Sequence, residues 1–160
     1  MNLNLCSGPF PFKGCINVDM TPYPGTQVVC DARALPFRSG SLDAVFFCHA
    51  IEHFTYDDAM QILKDIKRTL KPGGTVHIEG PDVIKCVENY RSHYGLMDFI
   101  FGDMDEIRKH PEYAHKWGYT GNGLAHDMIN MGYRIKEVGD GKVHGHPKRD
   151  YKVLGVKDGR

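Results

Sequence analysis

Several things are missing from this chain, and each absence narrows the answer. Its five cysteines include no C-x-x-C pair. An odd, scattered set argues against a disulfide framework and for reduced thiols in a cytosolic setting. No apolar run approaches the roughly 20 residues that cross a bilayer. No basic, apolar and small-residue leader stands at the start. A cytoplasmic protein without membrane contact is expected. Net charge is also missing, with 20 Lys and Arg against 20 Asp and Glu, so no bulk field draws the chain to nucleic acid. The balance is uneven. Acids outnumber bases in residues 1–60, while Lys142, Lys148, Arg149, Lys152, Lys157 and Arg160 make the last stretch basic. That basic end reads as a solvated tail.

What is present suits one domain of 160 residues with a substantial core, being 41% hydrophobic. Short apolar runs follow one another early. They are Leu3 to Leu5, Ile16 to Met20, Gln27 to Cys30 and Leu42 to Phe47. The last has the continuous apolar character of a strand buried on both faces. A helix follows, with Thr55 as its N-cap and Asp57 and Asp58 in its first turn. Met60, Leu63, Ile66 and Leu70 make one apolar stripe at helical spacing. Lys71-Pro72-Gly73-Gly74 stops it, and Thr75 to Glu79 alternates like a strand. Residues 82–95 carry helical spacing again. Residues 96–118 are irregular and rich in aromatics and cations. Thr120 to Met131 predicts a last helix, then Tyr133 to Val138 and Asp150 to Val156 a strand pair. The pattern predicts an α/β, Rossmann-like three-layer sandwich, with a mainly parallel sheet and an antiparallel final strand.

The ends of the early strands carry the chemistry. Open α/β sheets bind ligands at the carboxyl ends of their strands. The glycine turn ending at Gly8 lets backbone approach a ligand closely. Asp19, ending the next strand, is placed to accept both hydroxyls of a ribose. Asp31 suits an adenine amino group, with the Ala32 amide on a ring nitrogen. Either acid alone reads better as a turn residue. Both together, at successive strand ends after a glycine turn, read as a nucleoside site.

The ordered set Leu5-Cys6-Ser7-Gly8, Asp19, Asp31-Ala32-Arg33-Ala34-Leu35-Pro36-Phe37, Ser41-Leu42-Asp43-Ala44-Val45, Ile51-Glu52-His53-Phe54 and Leu70-Lys71-Pro72-Gly73-Gly74 resembles the class I S-adenosylmethionine-dependent methyltransferases from Leu3 to about Pro81. The resemblance implies a seven-stranded sheet whose sixth and seventh strands are antiparallel to each other. It implies S-adenosylmethionine as cofactor and S-adenosylhomocysteine as product. Leu5, Cys6, Ser7 and Gly8 would line the methionine part. Asp19 would hold the ribose, and Asp31 with Ala32 the adenine; Met20 and Arg33 would also border the cofactor. Cys48 and His49 would lie near the transferred methyl group. His49 and His53 are the candidate bases, with Glu52 able to orient either.

Three departures stand out. The family usually has a second glycine where Cys6 stands and often an acid where Asn4 stands. The link from Gly8 to Ile16 leaves room for a single helical turn or none, although parallel strands usually need a crossover of about a dozen residues. The chain also opens directly in its first strand, where many relatives have lid helices. An open cofactor site, modest affinity or help from a second subunit is therefore expected, and a homodimer is one form of that help. The acceptor is unidentified; a small molecule, sugar or peptide is favoured over nucleic acid, with residues 83–118 as a substrate-side insertion.

Rival readings exist. His49-Ala50-Ile51-Glu52-His53 fits H-x-x-E-H, but that zinc motif needs a helix. Here it falls between a strand and a helix cap, so no metal is expected. A nicotinamide site wants G-x-G-x-x-G, which Cys6-Ser7-Gly8-Pro9 does not supply. A cofactor-binding scaffold without transferase activity is the alternative to an enzyme.

Overall fold

In the computed structural model, which describes residues 1–90, 92–143, 146 and 148–159, the short apolar runs assemble into one sheet. Its strands are β1 (Asn2–Leu5), β2 (Ile16–Asp19), β3 (Val28–Val29), β4 (Leu42–Cys48), β5 (Leu70–Pro81), β6 (Tyr133–Asp140) and β7 (Asp150–Lys157). The order across the seven-stranded sheet is β3-β2-β1-β4-β5-β7-β6. Pairings among β1 to β5 are parallel. Strand β7 runs antiparallel to both β5 and β6. The order reverses direction between β1 and β4, which creates the switch point where such sheets bind ligands.

The helices are α1 (Tyr56–Thr69), α2 (Val83–Asn89), α3 (His93–Phe101), α4 (Met104–Lys109) and α5 (Gly121–Asn130). The Thr55 hydroxyl accepts from the Asp58 amide at 3.2 Å, so the cap read from sequence forms. Helix α1 ends at Thr69 and β5 begins at Leu70, just ahead of the Pro-Gly-Gly stop. Residues 82–95 are not one helix: the run breaks after Asn89 and restarts at His93. No helix of the described residues is long and apolar enough to cross a membrane.

The core lies between the sheet and helices α1 and α5. Leu3, Leu5, Val45, Phe47, Val76, Ile78 and Val153 meet Ile62, Leu63, Ile66, Leu124 and Met128 there. Burying each such side chain stabilises by roughly 1.5–3 kcal/mol. The Tyr133 hydroxyl donates to the Leu63 carbonyl at 2.7 Å and ties β6 to α1.

The opposite sheet face is more polar. Asn4 and Asn17 are both buried there. No helix links β1 to β2. The connector instead hangs on the two amides. Asn4 Nδ2 donates to Asn17 Oδ1 at 2.9 Å and to the Phe10 carbonyl at 3.2 Å. The Phe12 amide donates to Asn17 Oδ1 at 2.7 Å. Phe12 then packs its ring against Phe46, centroids 5.6 Å apart. Asn4, a departure from the family pattern, therefore has a structural role of its own.

Candidate functional site

At the switch point a cavity of about 1510 Å3 opens at the carboxyl ends of β1, β2 and β4. Leu5, Cys6, Ser7, Gly8, Asp19, Met20, Asp31, Ala32, Arg33, Cys48, His49 and His53 all line it. The two acids at positions 19 and 31 thus face one space, though they come from separate strands.

The first turn is tightly specified. Cys6 has φ of 54° and Gly8 φ of 51°. Position 6 therefore holds the left-handed backbone that glycine adopts at no steric cost, which is why a glycine there suits the family. Asp19 braces the turn: its Oδ2 accepts from the Gly8 amide at 2.8 Å and its Oδ1 from the Thr21 amide at 2.9 Å. A carboxylate has about four lone-pair sites, so each oxygen keeps acceptor capacity for a ligand.

Asp31 is held by its neighbour. Arg33 grips it with Nε and Nη2, the latter at 2.6 Å, while the Arg33 amide donates to Oδ1 at 2.9 Å. That Arg33 hydrogen bond is the main reason the Asp31 carboxyl lies below its usual range. Burial pushes the Cys48 thiol up to about 12, and the Cys6 thiol higher still. Neither is a nucleophile near neutral pH.

His49 sits just past β4 with φ of 49°, one of the strained backbone positions that cluster at functional sites. Its Nε2 lies 3.2 Å from Asp150 Oδ2 and its Nδ1 3.8 Å from Glu52 Oε1. Asp150 is wholly buried. Burial raises its carboxyl, but hydrogen bonds from His49 and Arg149 outweigh this and hold it at about 2. Asp150 is the partner that sequence reasoning missed. It opens β7, far from His49 in the chain, and only the antiparallel β5–β7 pairing brings it alongside.

His53 turns elsewhere. Its ring meets His115 edge-on, centroids 5.0 Å apart, and its Nδ1 is buried without a hydrogen-bond partner among the described residues. His115 points Nδ1 at the Phe99 carbonyl, 3.1 Å away, and burial lowers its pKa. His115 and Lys116 line the cavity, whereas Trp117 does not; it packs on Tyr56 at 5.3 Å. The irregular segment reaches over the cavity at Tyr113, whose hydroxyl meets that of Tyr23 at 2.5 Å. Arg149 lies 5.1 Å from the centre of the Phe99 ring and anchors α3 to the turn just ahead of β7.

Sheet order and switch-point crevice give this chain the fold of the class I S-adenosylmethionine-dependent methyltransferases. S-adenosylmethionine is the cofactor of that class. Residues 15–78 match the family described as a methyltransferase domain. Over 82 residues, half of this chain, the sequence is 38% identical to the mouse tRNA (carboxymethyluridine(34)-5-O)-methyltransferase ALKBH8. Over 46 residues, 29% of this chain, it is 44% identical to the ubiquinone/menaquinone biosynthesis C-methyltransferase UbiE of Desulfotalea psychrophila. The aligned stretches span 12% and 18% of those proteins' lengths. Among solved structures, a methyltransferase from Methanosarcina mazei shares the fold at a TM-score of 0.69 and 19% identity, covering 98% of this chain and 92% of that one.

Proposed function

We propose that this chain transfers a methyl group from S-adenosylmethionine to a small molecule, sugar or peptide. The observation that carries the reading is the convergence on one cavity of both acids, the Cys6-Ser7-Gly8 turn and His49, which is backed by buried Asp150. The residues fit the cofactor: Asp19 keeps acceptor capacity on both oxygens, and the turn's backbone approaches the cavity without a bulky side chain. When bound, the cofactor supplies a methyl carbon already activated by its sulfonium.

In this reading Asp19 holds the ribose, Asp31 and the Ala32 amide hold the adenine, and Leu5 to Gly8 flank the methionine end. His49 takes the proton of the acceptor at Nδ1, while Asp150 fixes the ring and stabilises the imidazolium. Residues 83–118 form the acceptor's wall. Tyr113, His115 and Lys116 border the cavity from that side. Positioning by such a wall supplies several kcal/mol of catalysis. The tRNA and quinone chemistry of the two relatives differs, so neither acceptor is carried over.

The test is calorimetry with S-adenosylhomocysteine, followed by incubation with methyl-labelled cofactor and an acceptor panel of sugars, phenols and peptides. Binding at one site per chain and label on an acceptor are expected. Binding without transfer to any acceptor favours the non-catalytic scaffold. No binding at millimolar ligand refutes the proposal.

A further inference from the structure

Beneath the acceptor wall, Glu52, His53 and His115 come together although His115 is distant in sequence. One ligand atom from each lies within 4.8 Å of the others. All three residues line the cavity. From this juxtaposition we propose a divalent-metal site of the zinc class, held by two imidazoles and one carboxylate, with its open positions facing the cavity.

Three observations support it beyond proximity. Glu52 is 3% exposed, and its Oε2 has no hydrogen-bond partner among the described residues. A buried carboxylate oxygen left unpaired costs several kcal/mol unless a cation or donor meets it. His53 Nδ1 is also buried and unpartnered among the described residues. His115 is already oriented as metal ligands are, because its Nδ1 meets the Phe99 carbonyl at 3.1 Å and leaves Nε2 for the ion. The backbone reinforces the cluster: the Lys116 amide donates to the Glu52 carbonyl at 2.7 Å and locks the two segments together.

The donor set selects the ion. Two imidazoles and a carboxylate suit zinc, cobalt, iron or manganese, whereas magnesium and calcium prefer oxygen. The site is distinct from the H-x-x-E-H pattern in the sequence. His49 is turned to Asp150, and His115, outside that pattern, takes its place. Under the methyl-transfer reading, on which this role alone rests, the ion holds an oxygen or nitrogen of the acceptor, and His53 is a ligand rather than a base.

The experiment uses the full chain, stripped with chelator, desalted and titrated with Co(II), then with Zn(II). One equivalent of cobalt with visible d–d absorption, displaced by zinc and without a thiolate charge-transfer band, is expected. His53→Ala and His115→Ala should each weaken cobalt binding at least tenfold (~1.4 kcal/mol) while keeping the far-UV circular dichroism of the parent. X-ray absorption on the zinc-loaded parent covers the case in which a variant misfolds; it should report nitrogen and oxygen neighbours with imidazole scattering. Absence of cobalt binding, sulfur in the zinc shell, or wild-type binding by both variants overturns the site. Metal titration needs no cofactor, so failure of the methyl-transfer reading would appear separately, as lost S-adenosylhomocysteine binding by a chain that still takes cobalt.

Discussion

Replacing Asp19 by Asn changes one atom and tests the cofactor reading at its tightest point. Both Asp19 oxygens already accept a backbone hydrogen bond, from Gly8 at 2.8 Å and Thr21 at 2.9 Å. Each has one remaining acceptor direction, and a ribose diol presents two hydroxyls to match. The amide keeps one oxygen. Its NH2 must face either the Gly8 or the Thr21 amide, donor against donor. One ribose bond to a charged acceptor is lost, at about 1.5–3 kcal/mol, and the other becomes a neutral bond, at about 1 kcal/mol less. The sum of about 2.5–4 kcal/mol weakens S-adenosylhomocysteine roughly 60- to 700-fold at 1.4 kcal/mol per decade.

Folding should survive the change. Asp19 is only half-buried, and losing one backbone contact costs about 1–2 kcal/mol. That lowers the melting temperature by about 2–8 °C in a chain of this size. Calorimetry with S-adenosylhomocysteine and thermal melts without ligand separate the two effects. An affinity within threefold of wild type, in a variant that melts a few degrees lower, refutes the ribose assignment. A variant that does not fold shows instead that Asp19 is a brace of the turn above all.

Three further outcomes follow from the same geometry. The folded-state pKa of Asp150, about 2, lies below the ordinary 3.8, so its contribution to stability is complete above pH 4 and is lost as pH falls through about 2. Urea unfolding should show Asp150→Asn less stable than wild type from pH 5 to 8, with the gap closing toward pH 2; a gap of constant size at pH 2 contradicts the pairing. Alkylation at pH 8 with peptide mapping should spare Cys48 and Cys6, whose thiols burial pushes up to about 12 and beyond, and reach Cys15 and Cys30 first; rapid labelling of Cys48 refutes the raised thiol. In Gly74→Ala the new Cβ would stand 2.9 Å from the Lys71 carbonyl oxygen and 3.2 Å from those of Leu42 and Asp43, which is backbone that cannot swing aside. A loss of about 1–3 kcal/mol is expected, and an unchanged melting temperature shows that β5 is looser here than described.

Local signals were the ones legible in the sequence. The Thr55 cap, the acidic first turn and the apolar stripe of α1 each act within a few residues, and the helix forms where they place it. Strand ends bearing Gly8, Asp19 and Asp31 were readable because a period-two apolar run stops at a residue of distinct chemistry. Strand β3 shrank to Val28–Val29 because it is an edge with Val29 exposed, leaving little to pair or bury. The segment 96–118 gave no period, since α3 and α4 are short and are separated by Gly102 at φ of 96°. Long-range partners were invisible. Nothing near Asp150 in sequence distinguishes it from a strand residue, and nothing near His115 announces Glu52 or His53.

The same geometry explains why the first crossover can dispense with a helix. A parallel connection must return along the sheet and satisfy its own backbone on the way, which a helix does internally. Here two side-chain amides take over. Asn4 and Asn17 project from neighbouring strands at paired register positions, and together they bond the Phe10 carbonyl and Phe12 amide of the connector. A buried amide pair is costly unless each member is satisfied, and here both Asn4 and Asn17 have partners. An acid at position 4 would lose the donor that Asn4 Nδ2 offers to both acceptors, leaving like oxygens facing in a buried place. Asparagine at 4, asparagine at 17 and a ten-residue link from Cys6 to Cys15 are therefore one structural solution.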